Sequence, residues 1–262
     1  MAQGPTHKPL YPSLHGRRLG LGPSGEVVIN NRVAVPNPNN PGQVVRLWDD
    51  FLGDVIADQW AGYGGTDAQA LAPAITAGIG GLLRLTGGNA NTDTATDASQ
   101  LEGALNWQAS NGDLFFETRL SMSAITNIAV FAGFTDAVGA IEFPIISAGS
   151  ADTLTTTASD AVGFMFDTRM STDNWWCVGV AGDTDATHIN TGSAPVATTF
   201  ERLRIEVDSA GGAFFYIDGV KVGEMDDAVT AATDLAPCII VQPLTTTAHT
   251  VDLDYVSIEM LR

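Results

Sequence analysis

The chain has 262 residues, 45% of them hydrophobic and 16% charged, and a formal net charge of −18. So acidic a protein is excluded from general nucleic-acid binding, which needs basic groups to displace counterions from phosphates. No apolar stretch reaches the length of a membrane span and no secretory leader follows Met1, so a soluble protein that does not use the usual export route is expected.

Charge divides the chain in two. Residues 1–48 carry Lys8, Arg17, Arg18, Arg32 and Arg46 against Glu26 alone, a balance of +4, whereas residues 49–262 hold 7 basic and 29 acidic side chains, a balance of −22. The first 48 residues also hold seven of the 12 prolines, and their one short apolar run is Val27-Val28-Ile29. Proline fixes φ and removes a backbone donor, so an extended arm is predicted over 1–48. Such an arm is expected to lie across a partner in an assembly. Its candidate contacts are the charges of Arg17, Arg18, Arg32 and Arg46 and the apolar anchors Tyr11 and Trp48. An acidic neighbour, including the body of another copy, would suit its charge.

From residue 49 to 262 a single body is predicted. At this size a body buries roughly 70% of its unfolded surface and needs no disulfide staples. LWDDFLGDVIADQW places aromatic anchors at Trp48, Phe51 and Trp60, and Asp49 and Asp50 suit the N-terminus of a short helix near 50–58. Strand-like runs follow at 80–88, 104–110, 113–122, 128–136, 161–170, 174–183, 201–209, 212–219, 220–224, 237–244 and 250–260, separated by Gly, Asn, Asp, Ser and Thr clusters. ERLRIEV alternates, with Leu203, Ile205 and Val207 on one face and Arg202, Arg204 and Glu206 on the other. TVDLDYVSIEM reads with Val251, Leu253 and Tyr255 on one face and Asp252 and Asp254 on the other. This period belongs to half-buried antiparallel strands. FFYIDGVKVGE, residues 214–224, reads as a hairpin turning at Asp218-Gly219. The prediction is an all-β protein: a two-sheet antiparallel β-sandwich of the jelly-roll type behind an extended N-terminal arm. Cys177 and Cys238 lie in apolar runs with no metal-knuckle spacing, so buried free thiols and assembly in a reducing cytosol are expected.

ERLRIEVD, FFYIDGVKVGE and DLDYVSIEM together resemble the concanavalin-like, laminin-G-like jelly-roll superfamily. FFETRLSM, VFAGFTDA and AVGFMFDTRMSTDNWWCVGVAGD resemble the β-sandwiches of tailed-phage structural proteins of the capsid-decorating or fibre-associated kind. The resemblance covers about residues 100–260 and leaves the arm unmatched. It implies a virion structural protein at the capsid surface, assembled in the host cytoplasm and gripping the major capsid protein through its arm as a dimer or trimer. The alternative it implies is a tail- or head-fibre module that binds a carbohydrate or receptor.

A glycosidase needs two carboxylates facing each other across the sugar. Sandwich glycosidases place theirs along one strand as Glu-x-Asp-x-x-Glu or Glu-x-Asp-x-Glu, and neither pattern occurs. There is no Gly-x-Ser-x-Gly elbow, none of His7, His15, His188 and His249 neighbours a suitable nucleophile, and GIGG is no phosphate loop. No enzyme, no cofactor and no metal are therefore expected. Calcium would find carboxylates at Asp183 and Asp185 or at Asp93 and Asp97, but neither loop has the spaced Asp pattern of a calcium loop and both read as solvated turns. A glycan would need an aromatic platform, for which Trp175, Trp176 and Tyr63 are available. Adjacent tryptophans on a strand point to opposite faces, so at least one of Trp175 and Trp176 belongs to the core.

Overall fold

The computed structural model describes the backbone of residues 19–21, 27–29 and 32–35, and residues 44–76, 80–91, 94–149 and 152–262 in full. Residues 46–260 form one compact unit, and residues 1–45 with 261–262 form another. In the latter, β1 (Leu19–Leu21), β2 (Val27–Ile29) and β3 (Arg32–Val35) pair as an antiparallel three-stranded sheet. The β-branched run Val27-Val28-Ile29 is its central strand, as β-propensity favours.

The sandwich begins with β4 (Val44–Asp49), β5 (Trp60–Gly64), β6 (Leu71–Thr76) and β7 (Leu82–Thr86). The single turn α1 (Thr94–Asp97) precedes β8 (Ser99–Gly103), β9 (Leu114–Met122) and β10 (Ile128–Thr135). A hairpin of β11 (Ile145–Ser147) and β12 (Leu154–Thr156) leads to β13 (Ala161–Asp167) and β14 (Trp176–Ala181). The short β15 (Thr184–Asp185) and β16 (Ile189–Asn190) follow, then β17 (Glu201–Val207) and β18 (Ala213–Ile217). The last strands are β19 (Val220–Met225), β20 (Ala236–Pro243) and β21 (Thr250–Leu261). The first sheet has the order β15-β14-β13-β10-β20-β8-β5, with β16 also on β14. The second has the order β19-β18-β17-β9-β21-β7-β6, with β4 also on β21. The expected all-β, two-sheet sandwich is thus the observed one.

The two sheets differ in how their sequences alternate. In β17 the burial follows the ERLRIEV pattern, with Leu203, Ile205 and Val207 inside. Phe116 against Phe134 and Phe164 against Phe215 meet edge-on and join the inner faces of the two sheets. Strands β10, β13 and β20 are buried along their whole length, because residues 136–149 and 152–160 fold back over the outer face of the first sheet. Phe143, Ile145 and Ala158 of that segment form one cluster with Phe131, Met165, Trp176, Val178 and Ile240. The uninterrupted apolar runs of these strands are the signature of burial on both faces.

Three local expectations are corrected. No helix forms at 50–58: the Asp49 carboxylate accepts from the Phe51 N–H and from Trp60 Nε1, both at 2.9 Å, and Phe51 turns the chain at φ 53°. Residues 104–110 make no strand but one bridge, Trp107 to Leu235, and a 3-10 turn at Ala109–Asn111. In β21 the alternation breaks. The register to β9 shifts between Leu253 and Tyr255, which turns Tyr255 away from the Val251 and Leu253 side. A one-residue bulge exchanges the faces of everything beyond it, so Val256, Ile258 and Met260 take up the core.

The hairpin turns where expected, with Asp218 at φ 49° and Gly219 at φ 84°, both in the positive-φ region such a turn requires. Cys177 and Cys238 are buried and free. Cys177 pairs in register with Phe164, which faces the second sheet, whereas Cys238 belongs to the cluster under residues 136–149 and 152–160. They lie on opposite faces of one sheet with β13 and β10 between their strands, beyond the reach of a disulfide.

Candidate functional site

The outer face of the second sheet carries cross-strand rows of charged and aromatic side chains. Arg84 holds Asp252 through two hydrogen bonds, at 2.6 and 2.8 Å, and Arg119 donates to Asp254 at 2.8 Å. Arg204 lies 4.1 Å from the centroid of Tyr216, Lys221 4.6 Å from that of Phe214, and Arg119 4.5 Å from that of Phe200. Each exposed ion pair contributes about 1 kcal/mol or less. Together they hold long side chains flat on the sheet and leave the face nearly neutral in a protein of net charge −18.

The centre of interest on this face is Trp48. The early residues of β21 pair with β7 up to Leu253, and β4 joins β21 as well. Arg46 there pairs with Glu259 at 2.8 Å. The Trp48 ring stacks on Tyr255 with centroids 4.8 Å apart and planes 19° apart, yet Trp48 stays 53% exposed. The Tyr255 hydroxyl donates to Glu117 Oε1 at 2.7 Å. Burial, and then this bond, push the phenol well above its usual pKa, so it remains a fixed donor. The result is an indole platform, one face held by Tyr255 and half of the side chain exposed, flanked by carboxylates and guanidinium groups that can bond hydroxyls.

The first sheet presents a different site. Gln100 and Glu102 point outward from β8, on the face of Cys238 and Ile240 with which they pair. They hold the loop 139–142: the Gly139 N–H donates to Glu102, Gln100 Nε2 donates to Glu102 and to the Ala140 carbonyl, and the Glu142 N–H donates to Gln100 Oε1. Burial raises the Glu102 carboxyl above the usual range, while the bonds from Gly139 and Gln100 oppose that rise. Tyr63, which pairs with Gln100 on β5, has its phenol raised by burial and by the charge of Glu102.

Of the predicted arm contacts, Tyr11, Arg17 and Arg18 lie outside the described residues. Arg32 opens β3, where only the backbone is described. Arg46 and Trp48 come together on the second sheet. Trp175 and Trp176 are both buried, on opposite faces of the first sheet, so neither serves as a platform; Trp175 Nε1 donates to Glu201 at 2.9 Å. Tyr63 is half-buried. Asp93 lies outside the described residues, Asp97 is fully buried and accepts from the Ala90 N–H at 2.8 Å, and Asp183 accepts from the Ser159 hydroxyl at 2.8 Å. Asp185 sits exposed in β15. Among the described residues no three His, Cys, Asp or Glu side chains gather as a metal site. Sequence reasoning missed Tyr255 as a platform residue because the bulge is invisible to a period of two. It missed Gln100 and Glu102 because SQLEG carries a single large apolar residue to announce a strand.

No family model and no curated protein matches the chain, but solved structures do. The β-glucanase of Bacillus licheniformis superposes with a TM-score of 0.54 at 9% identity, covering 81% of this chain and 97% of that one. A glycoside hydrolase family 16 endo-glucanase from Bacteroides ovatus gives 0.55 at 12% identity, over 81% and 99%. The carbohydrate recognition domain of Emp47p gives 0.57 at 8% identity, over 84% and 98%. The fold is a concanavalin-like jelly roll. At such identities the likeness concerns the fold alone.

It also corrects the expectation that the chain is no enzyme, because glycoside hydrolases stand among the structures that share this frame. For a glycosidase, the sequence argument asks for acids alternating along one strand. Carboxylates can also be brought together from different strands and loops, which spacing along the chain does not reveal.

Proposed function

We propose that this chain is a carbohydrate-interacting sandwich that takes a neutral saccharide on the Trp48 platform. The observation that carries this reading is Trp48 itself: a large aromatic ring, half exposed and held in place by Tyr255. A pyranose offers an apolar face to such a ring and hydroxyls to the surrounding Arg119, Asp254, Arg46 and Glu259. The pairing of those charges suits an uncharged sugar, and the net charge of −18 disfavours an anionic one. The fold's occurrence in carbohydrate-recognising and glycan-cleaving proteins supports the same reading.

The test is a neutral-glycan array on the intact protein, followed by tryptophan fluorescence titration and a reducing-end assay for cleavage with any saccharide that binds. Binding that Trp48→Ala abolishes without altering the thermal midpoint supports the platform. Absence of binding at millimolar saccharide, or binding indifferent to Trp48→Ala, refutes it.

A second reading, a virion decoration protein that grips the major capsid protein through its arm, is supported by the division of charge between arm and body and by the phage resemblance of the sequence. It predicts that charge reversal at Arg17 and Arg18 lowers occupancy on particles; full occupancy with that variant refutes it.

A further inference from the structure

The loop between β4 and β5 and the edge strand β6 expose large apolar side chains. Leu52 is 68% exposed, Val55 79% and Leu71 55%. Between the loop after β4 and strand β6 lies a cleft of about 320 Å³, lined by Phe51, Leu52, Asp54, Ile75 and Gly81 among others. That volume suits one or two apolar side chains and not an extended ligand. Leu52, which lines this cleft, and Val55 in the same loop make that loop an interaction surface, while Leu71 stands at the far end of β6 from Ile75 and Thr76.

The loop between β4 and β5 is acidic, and the nearest basic side chain on the sheet, Arg84 opposite Ala74 of β6, is already held by Asp252. Between Arg46 and Arg84 there is no basic side chain, and Asp49, Asp50, Asp54, Asp58 and Asp67 all fall in that interval. Asp49 and Asp67 are engaged by local hydrogen bonds, while Asp54 and Asp58 are exposed beside Leu52 and Val55. A fitting partner therefore alternates apolar and basic residues and carries no acid. β6 itself resists strand addition, because Pro73 lacks an N–H on this edge strand. Side chains, then, and not a backbone ladder, must make the contact.

The chain contains such a segment. LYPSLHGRRLGL, residues 10–21, sets Leu10, Tyr11, Leu14, Leu19 and Leu21 around Arg17 and Arg18, and no acid precedes Glu26. We propose that residues 10–21 of a second copy dock on the Leu52–Val55 surface, with Arg17 and Arg18 against Asp54 and Asp58, so that copies associate by exchanging arms. Reciprocal exchange in a dimer, or cyclic exchange in a ring, closes the assembly and uses every arm and every surface. It also multiplies weak single contacts through effective concentration. This inference is independent of the saccharide reading, since neither surface includes the other's residues.

The test uses full-length chains and light scattering coupled to size exclusion. The wild type is expected as a dimer or higher closed oligomer at low salt, shifting toward the monomer as salt screens the pairs. Arg17→Glu with Arg18→Glu, and separately Asp54→Lys with Asp58→Lys, should each run at the mass of one chain. Mixing the two variants should restore the higher mass, because the reversed charges complement each other between copies. Should the lysine variant fail to fold, Leu52→Ser with Val55→Ser provides the same loss of association by removing the apolar half. A wild type that is monomeric at every concentration, or charge variants that keep the wild-type mass, overturns the proposal.

Discussion

Phe143→Ala tests whether residues 136–149 and 152–160 are a third structural layer or a dispensable surface loop. Phe143 is 2% exposed within a cluster that includes Phe131, Ile145, Met165 and Trp176. Truncating a buried phenylalanine removes its transfer free energy and leaves a cavity that the surroundings fill only partly, a loss of about 3–5 kcal/mol. Against a total stability of roughly 5–15 kcal/mol this is a large fraction. For a unit of this size it lowers the thermal midpoint by roughly 6–20 °C, taking about 2–4 °C per kcal/mol. The assay is equilibrium urea unfolding followed by tryptophan fluorescence, with Val138→Ala as the control. Val138 lies in the same segment but is 38% exposed, so its truncation should change stability by less than about 1 kcal/mol. A single cooperative transition with a lower midpoint for Phe143→Ala and an unchanged one for Val138→Ala is expected. A loss below about 1 kcal/mol for Phe143→Ala refutes the reasoning, for it would mean that the segment lifts off without disturbing the sheet.

Two further outcomes follow from the titratable groups. Burial raises the Glu102 carboxyl above its unfolded value, so the native state holds this proton at a higher pH than the unfolded chain does. The cost of ionised Glu102 is present in full above its folded pKa and is relieved below the unfolded value of about 4.3. The stability difference between Glu102→Gln and the wild type should therefore move in favour of the wild type as pH falls from about 8 to about 4; a pH-independent difference in urea unfolding would exclude this. Burial likewise raises both thiols, Cys177 and Cys238. Native protein should resist a thiol reagent that modifies both cysteines once urea is added, and rapid native labelling of either would contradict its placement in the core.

Much of the architecture was legible because half-buried strands write their period into the chain. ERLRIEV shows its inside and outside directly, and Asp218-Gly219 announces its turn through residues that tolerate positive φ. Strands β10, β13 and β20 were legible as strands from their apolar runs, though not the reason those runs are continuous, since the layer that covers them comes from elsewhere in the chain. WAGYG, LAPAIT and SQLEG escaped because glycine, proline and polar residues hide a strand whose stability comes from its neighbours. The helix expected after Trp48 lost to the Asp49 carboxylate, which found the Phe51 N–H and the Trp60 indole instead.

The candidate platform divides along the same line. Trp48 was recognisable in the sequence as an anchor, and the acidic body and basic arm could be counted from it. Tyr255 reads from the sequence as a core residue, and only the bulge against β9 turns it to the face where Trp48 lies. The sequence by itself determined an all-β, acidic sandwich, because composition and a two-residue period are properties of the chain alone. Which side chains meet on its surface was decided by tertiary structure, because register between strands distant in sequence is set by packing, and one extra residue in a strand reverses every side chain that follows.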